Sequence, residues 1–290
     1  MASQDENDAG QDGWTWTAAP AIPLEDGGLL VKLLAYDGEF PVSYVYEHSG
    51  VHGEPVLLYD VDTWLSDLWL APDGTLLAAG EAGQLHVRTG TRWRVLQSPT
   101  EGMLTGVWAD ENSVCYIASE EGLMRYQRGQ FALLASGPDL FVEAVRGTVD
   151  GHRLYAIGRA GLFLYTHGGN WVRDHLPTNV NLNGVCVAAD GTVHVVGDAG
   201  VVLSGGPGQW TILDSDLEDC LDVVDFQGAV YVGTSQGVFK MLDEALVPVL
   251  PGVAALRLRV CSGYLCVSGG LSFHRFDGVA WDSRHYIVGS

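Results

Sequence analysis

Seven glycines, Gly50, Gly83, Gly122, Gly161, Gly200, Gly237 and Gly270, recur along the chain at intervals of 33, 39, 39, 39, 37 and 33 residues. Self-similarity at a period of about 40 residues marks a repeat architecture. In the clearest copies, Ala156-Ile157-Gly158-Arg159-Ala160-Gly161-Leu162-Phe163 and Val195-Val196-Gly197-Asp198-Ala199-Gly200-Val201-Val202, the glycine closes a short turn between two apolar runs. That pattern is a β-hairpin written repeatedly. Alignment on the glycine exposes four strand-sized segments per repeat, A to D, as in Leu182 to Val187, Thr192 to Val196, Val201 to Ser204 and Trp210 to Leu213. Segments A and B are joined by Asp73-Gly74, Asp150-Gly151 and Asp190-Gly191, with Gln227-Gly228 and Ser262-Gly263 as variants. Such pairs tolerate the positive φ of tight hairpin turns. Segment D opens on an aromatic residue at Trp93, Phe131, Trp171, Trp210 and Trp281, which predicts a ring packed between neighbouring sheets.

Four antiparallel strands per repeat and seven repeats predict an all-β chain folded as a seven-bladed β-propeller, with a six-bladed ring as the alternative. The first repeat is irregular. Val45 to Gly50 reads as a B segment with its turn, and seven residues separate Gly50 from Leu57, so the third and fourth strands of that blade are expected to be short. Gly13-Trp14-Thr15-Trp16-Thr17 reads as an extra D segment. It either completes the last blade as a clasp or leaves that position to Val279 to Asp282. Residues 1–12 are expected to be a disordered acidic amino terminus, and residues 13–290 one propeller domain.

Composition supports this reading: 38 glycines and a hydrophobic fraction of 47% suit many short buried strands joined by tight turns. The five cysteines, Cys115, Cys186, Cys220, Cys261 and Cys266, fall in or beside predicted strands. Their odd number argues against a disulfide framework and for small buried hydrophobes. The polar, acidic start lacks a secretion signal, and no apolar run reaches membrane-spanning length. A cytoplasmic location with no membrane partner is the expectation.

Charge is the main functional clue. There are 15 basic and 36 acidic residues, a balance of −21, and −17 remains when Asp5, Glu6, Asp8 and Asp12 are set aside. Such a field repels nucleic acid and speeds encounter with a basic partner. In a propeller, B–C turns and the connections between blades emerge on one face, A–B and C–D turns on the other. The first face should collect Glu47, Asp60, Asp62, Glu81, Glu101, Glu120, Glu121, Asp139, Asp198, Asp214, Asp216, Glu218 and Asp219, opposed by Arg159 and Arg257. The second mixes Asp73, Asp110, Glu111, Asp150 and Asp190 with Arg88, Arg92, Arg125, Arg128 and Lys240. The partner-binding candidates are therefore Glu81, Glu120, Glu121, Asp198, Asp216, Glu218 and Asp219, receiving a positively charged protein segment near the central channel. Plain solvation of an acidic surface is the competing explanation.

The remaining motifs carry less. Gly233-Thr234-Ser235-Gln236-Gly237 matches GxSxG, but that nucleophile needs a strand-to-helix elbow, and Ser119-Glu120-Glu121-Gly122 fills the same repeat position. Asp214-Ser215-Asp216-Leu217-Glu218-Asp219 with Asp222 offers carboxylates of the kind calcium prefers, yet lacks the glycine and distal glutamate of an EF-hand. No histidine pair has metal-ligand spacing. No catalytic residue, metal or cofactor is expected.

Ser204-Gly205-Gly206-Pro207-Gly208-Gln209-Trp210 is similar to the Asp-box of bacterial neuraminidase-repeat propellers, with Gly206 where the box has aspartate. Gly169-Asn170-Trp171 and Asp277-Gly278-Val279-Ala280-Trp281 keep fragments of it. With Leu182-Asn183-Gly184-Val185 leading to Gly197-Asp198-Ala199-Gly200, blades two to seven resemble the photosystem-II-assembly-factor-like propellers. The resemblance implies a seven-bladed ring and a binding role. The expectation is a non-enzymatic protein-binding propeller, specifically an immunity-type inhibitor that neutralises a basic toxin or effector. An assembly or accessory scaffold is one alternative. A carbohydrate-active propeller, glycosidase or lyase, with aromatics and paired carboxylates at the channel mouth, is the other.

Overall fold

The computed structural model describes residues 14–137, 139–213, 215–243 and 245–285. They form seven four-stranded antiparallel sheets, each built from four consecutive strands: residues 15–61, 65–97, 104–136, 142–174, 182–213, 220–251 and 257–285. The seven-bladed reading is correct, and the six-bladed alternative falls. Strands A face the central channel. They are Thr15–Pro23, Leu65–Leu70, Leu104–Ala109, Val142–Gly147, Leu182–Val187, Cys220–Phe226 and Arg257–Cys261. The expected amino-terminal disorder over residues 1–12 lies outside the described residues.

The hairpins form for the reasons the turn chemistry gives. In the A–B turns of blades 2, 4 and 5, Asp73, Asp150 and Asp190 each accept the backbone N–H two residues on, from Thr75, His152 and Thr192, at 2.9, 3.0 and 2.8 Å. This Asx geometry closes the turn before the strands meet. In the B–C turn of blade 2, Gly83 has φ +67°, and a Cβ there would collide with the carbonyl oxygen of Thr100. Glycine is required by both its backbone angle and that close approach.

Packing is between blades. Tyr155, Ile157 and Phe163 of blade 4 form one buried cluster with Leu182, Val185, Val193, Val195 and Leu203 of blade 5. The D-strand aromatics tie blades together: Trp93 stacks on Tyr59 of blade 1 at 4.2 Å and donates its Nε1–H to Leu58 O at 3.2 Å. Trp210 meets Phe163 edge-on at 4.9 Å and donates to Asp174 Oδ2 at 2.9 Å. Both indoles thus combine apolar contact with a satisfied N–H.

Two expectations about the first blade are corrected. Its sheet order makes Pro41–His48 strand C, not B, and Gly50 lies in the C–D turn. Strands C and D, Pro41–His48 and Pro55–Val61, have 8 and 7 residues and are not short. Both hairpin types need a glycine-like turn, so a glycine after an apolar run does not say which hairpin it closes. The B–C turn of this blade is instead held by Asp37, whose Oδ1 accepts from Glu39 N and Phe40 N at 2.9 and 2.6 Å. The amino-terminal segment is strand A of blade 1 rather than a D-type clasp, while Trp281–His285 completes blade 7. Among the described residues no strand is exchanged between blades. Closure rests on blade 1 packing against blade 7, with Ala18 N donating to Gly270 O at 2.6 Å and Arg275 Nη1 to Gly27 O at 2.7 Å.

Candidate functional site

A β-bulge recurs at the second position of strand A in blades 2 to 6, at Ser66, Thr105, Glu143, Asn183 and Leu221. The extra residue re-aims the side chain. At three of these positions it reaches the first carbonyl of the next blade's strand A: Ser66 Oγ donates to Leu104 O, Thr105 Oγ1 to Val142 O at 2.6 Å and Asn183 Nδ2 to Cys220 O at 3.1 Å. Blade 1 does the same by another route. Lys32, on strand B opposite the bulge of strand A, donates its Nζ to Leu65 O at 2.6 Å. In blades 4 and 6 the position holds Glu143 and Leu221, which break the pattern of neutral hydrogen-bond donors.

One residue deeper, Asp67 and Asp222 bind the following blade's backbone, accepting from Val107 N at 3.2 Å and Leu258 N at 2.9 Å. Arg259 spans the two carboxylates, with Nη2 2.5 Å from Asp67 Oδ1 and Nη1 3.2 Å from Asp222 Oδ2. Arg146 lies 4.0 Å from Asp67 Oδ2, and its guanidinium sits 5.2 Å over the ring of Trp69. Burial opposes ionisation of Asp67, but Arg259, Arg146 and Arg257 outweigh it and hold its carboxyl below the ordinary range. The middle of the ring is therefore plugged by a buried ionic network.

Above that plug, towards the B–C face, lies a cavity of about 540 Å³ lined by Lys32, Arg159, Arg257, Glu120 and Glu143 among Trp64, Tyr36, Phe141 and Met103. Burial, with Arg257 and Arg259, pulls the Lys32 amine down to about 7, against the opposing pull of Asp67. Burial pushes the Glu143 carboxyl up, opposed by Arg257 and Arg159. Arg159 lies 3.6 Å over the Phe141 ring, and Arg257 Nη1 donates to Leu256 O at 3.0 Å. Sequence register identified Arg159 and Arg257 but missed Lys32 and Glu143. A buried lysine on a strand of apolar residues, Leu29–Tyr36, was the signal available.

Most of the predicted acidic residues fall on the same face, Glu120 at the cavity wall itself, and several also cap backbone. Glu81 Oε2 accepts from Trp64 N at 3.2 Å, Glu120 Oε2 from Met103 N at 3.1 Å and Glu121 Oε1 from Gly102 N at 2.9 Å. Asp198 accepts from Asn181 and Asn183, each at 2.9 Å, and Asp219 Oδ1 from Ala199 N at 2.9 Å. Asp216 and Glu218 are exposed in the blade 5–6 connection. Glu47 is a correction: it sits near the end of strand C of blade 1, on the opposite face. Asp214 lies outside the described residues.

The calcium candidate does not converge, because Asp222 is 6% exposed in the channel wall and bound to Arg259, whereas Asp219 caps a turn. Among the described residues no group of three potential metal ligands occurs. Ser235 sits in the B–C hairpin between Ala229–Thr234 and Gly237–Leu242, so the GxSxG match is a repeat feature. All five cysteines are free, and no helix of the described residues is long and apolar enough to cross a membrane.

No protein-family profile matches the chain. Over 145 residues it is 30% identical to the Immune protein Tsi7 of Pseudomonas aeruginosa, covering 48% of this chain and 47% of that protein. The match thus spans about half the length of the curated relative. Among solved structures, YCF48 bound to D1 peptide superposes with a TM-score of 0.58 at 14% identity, over 76% of this chain and 81% of that one. That likeness is one of fold, and it agrees with the seven-bladed ring implied by the resemblance to photosystem-II-assembly-factor-like propellers.

Proposed function

We propose that this propeller is a non-enzymatic protein binder acting as an immunity-type inhibitor, whose B–C face occludes a basic toxin or effector. The observation that carries the reading is the set of carboxylates on that face in the turns of blades 2, 3 and 5 and the blade 5–6 connection, from Glu81 through Glu120, Glu121 and Asp198 to Asp216, Glu218 and Asp219, on a chain of net charge −21. The partial similarity to an immune protein supports it. A rigid ring presenting loops on one face suits partner capture, and the acidic field would steer a basic partner to it. A cytoplasmic site of action belongs to the same proposal.

Co-expression with the products of neighbouring genes tests it: rescue from a toxic neighbour supports inhibition, while stable co-purification without rescue supports an assembly or accessory scaffold. In the binding assay, Glu120→Lys, Glu121→Lys and Asp198→Lys together should weaken the complex, and the wild-type affinity should fall with salt. Salt-independent binding that survives all three changes would end the acidic-face reading. A carbohydrate-active alternative draws on Glu143, a carboxyl raised by burial beside aromatic side chains. Glycan turnover abolished by Glu143→Gln would favour it.

A further inference from the structure

The cavity above the ionic plug combines three features that the acidic rim does not explain. Its wall carries three basic side chains, Lys32, Arg159 and Arg257, against two acidic ones, Glu120 and Glu143. Among the described residues, neither arginine lies within 4.0 Å of a carboxylate: Arg159 stacks on Phe141, and Arg257 spends a donor on the neighbouring carbonyl of Leu256. Finally, the wall between the charges is aromatic and apolar, with Trp64, Phe141 and Met103. Guanidinium groups with free donors in a concave, partly apolar site match a carboxylate borne on an apolar stem.

We propose that the mouth of the channel is a receptor for one such carboxylate, of the size of a glutamate side chain or a small arylalkanoic acid. Arg257 and Arg159 bind the anion, and Phe141 and Trp64 flank its stem. Lys32 responds to the same event. Arg257 and Arg259 disfavour its ammonium form and Asp67 favours it, while Glu120, Glu143 and Arg159 share its cavity. A seated anion adds a negative charge and draws a proton onto Lys32. Affinity therefore falls as pH rises through and above about 7, the value to which the free amine is pulled down. The proposal holds whether or not the rim captures a basic toxin, because it rests on the mouth alone.

Isothermal titration of the full chain decides it with two probes, free 3-phenylpropionate and the end-blocked peptide acetyl-Phe-Glu-Phe-amide. Binding of either is expected at or below about 10 mM, and 3-phenylpropanol, which lacks the charge, should bind at least about tenfold more weakly. Preference for the peptide assigns the site to a partner's side chain, and preference for the free acid to a small organic anion. Arg257→Leu should weaken binding about tenfold or more, the loss expected for one charge-assisted contact. Near pH 7 the binding heat should differ between phosphate and Tris buffers, through proton uptake that Lys32→Met removes. If Lys32→Met fails to fold, Arg257→Leu and Arg159→Leu still decide the anion site. No heat with either probe, equal affinity for the alcohol, or an unchanged Arg257→Leu titration would overturn the proposal.

Discussion

The rim and the mouth of the channel share one face of the ring yet differ in charge, the rim acidic and the mouth mixing Lys32, Arg159 and Arg257 with Glu120 and Glu143, and they are made differently. The rim consists of turn and connection residues whose carboxylates cap one another's backbone N–H groups, as turn residue Glu121 does for Gly102 of a connection and connection residue Asp219 for Ala199 of a turn. The mouth mixes strand residues, Glu143 on a bulge, Arg257 and Lys32, which reaches past strand A to Leu65 O, with turn and connection residues, Arg159, Glu120, Trp64, Phe141 and Met103. Turn chemistry fixes the first locally. The second depends on which strands of different blades meet around the axis. A face that reads from the sequence as acidic, with Arg159 and Arg257 opposing, gathers those two arginines with Lys32 at its centre.

The strongest way to break this contrast is to remove the plug beneath the mouth. Arg259→Met leaves Asp67 and Asp222 facing each other without their shared guanidinium, and should cost about 3–5 kcal/mol of stability by urea unfolding, as for a buried pair deprived of one partner. A loss below about 1 kcal/mol would mean that the network does not hold the ring. The combined charge reversal at Glu120, Glu121 and Asp198 comes next. It should reduce affinity for a basic partner by about 2–3 kcal/mol, with a smaller loss of stability from the broken caps, and the two readouts separate a contact surface from a structural rim.

Acid sharpens the comparison further, because buried histidines sit in the blades rather than at either site. Burial pulls His86 and His274 down to about 4, below their usual 6.5, so the unfolded chain binds protons that the folded chain refuses. Stability should therefore fall as pH drops from about 6.5 to about 4. Melting temperatures across that window should show a shallower slope in His86→Gln. Lys32→Met is the smallest effect. Because the amine is pulled down to about 7, the charged lysine opposes folding at and below neutral pH and is relieved as pH rises towards its ordinary value. Replacing it should stabilise by about 1 kcal/mol near pH 7 and by less at higher pH, as denaturant midpoints would show.

Much of the fold was legible because hairpin turns are local. Asp73-Gly74, Asp150-Gly151 and Asp190-Gly191 close A–B turns as expected, and six of the seven repeat glycines fall at B–C turns. The first blade was misread because Gly50 closes a different hairpin, and a turn glycine carries no label for its place in a sheet. The rim acids were legible for the same reason: Glu81, Glu120, Glu121 and Asp198 are turn residues, whereas Glu47, on a strand, was misplaced.

The sequence by itself determined the number of repeats, the strand-turn grammar and the side to which the turn carboxylates go, since each is settled within a few residues by backbone sterics and side-chain-to-backbone hydrogen bonds. Tertiary structure alone decided that Lys32, Glu143, Arg146 and Arg259 converge on one axis, that Asp67 and Asp222 share a guanidinium, and that blade 1 packs against blade 7 to close the ring. Apart from Glu143 and Arg146, which share a strand, those groups come from different blades. Their burial, and hence their charge states, exists only once the ring brings them together.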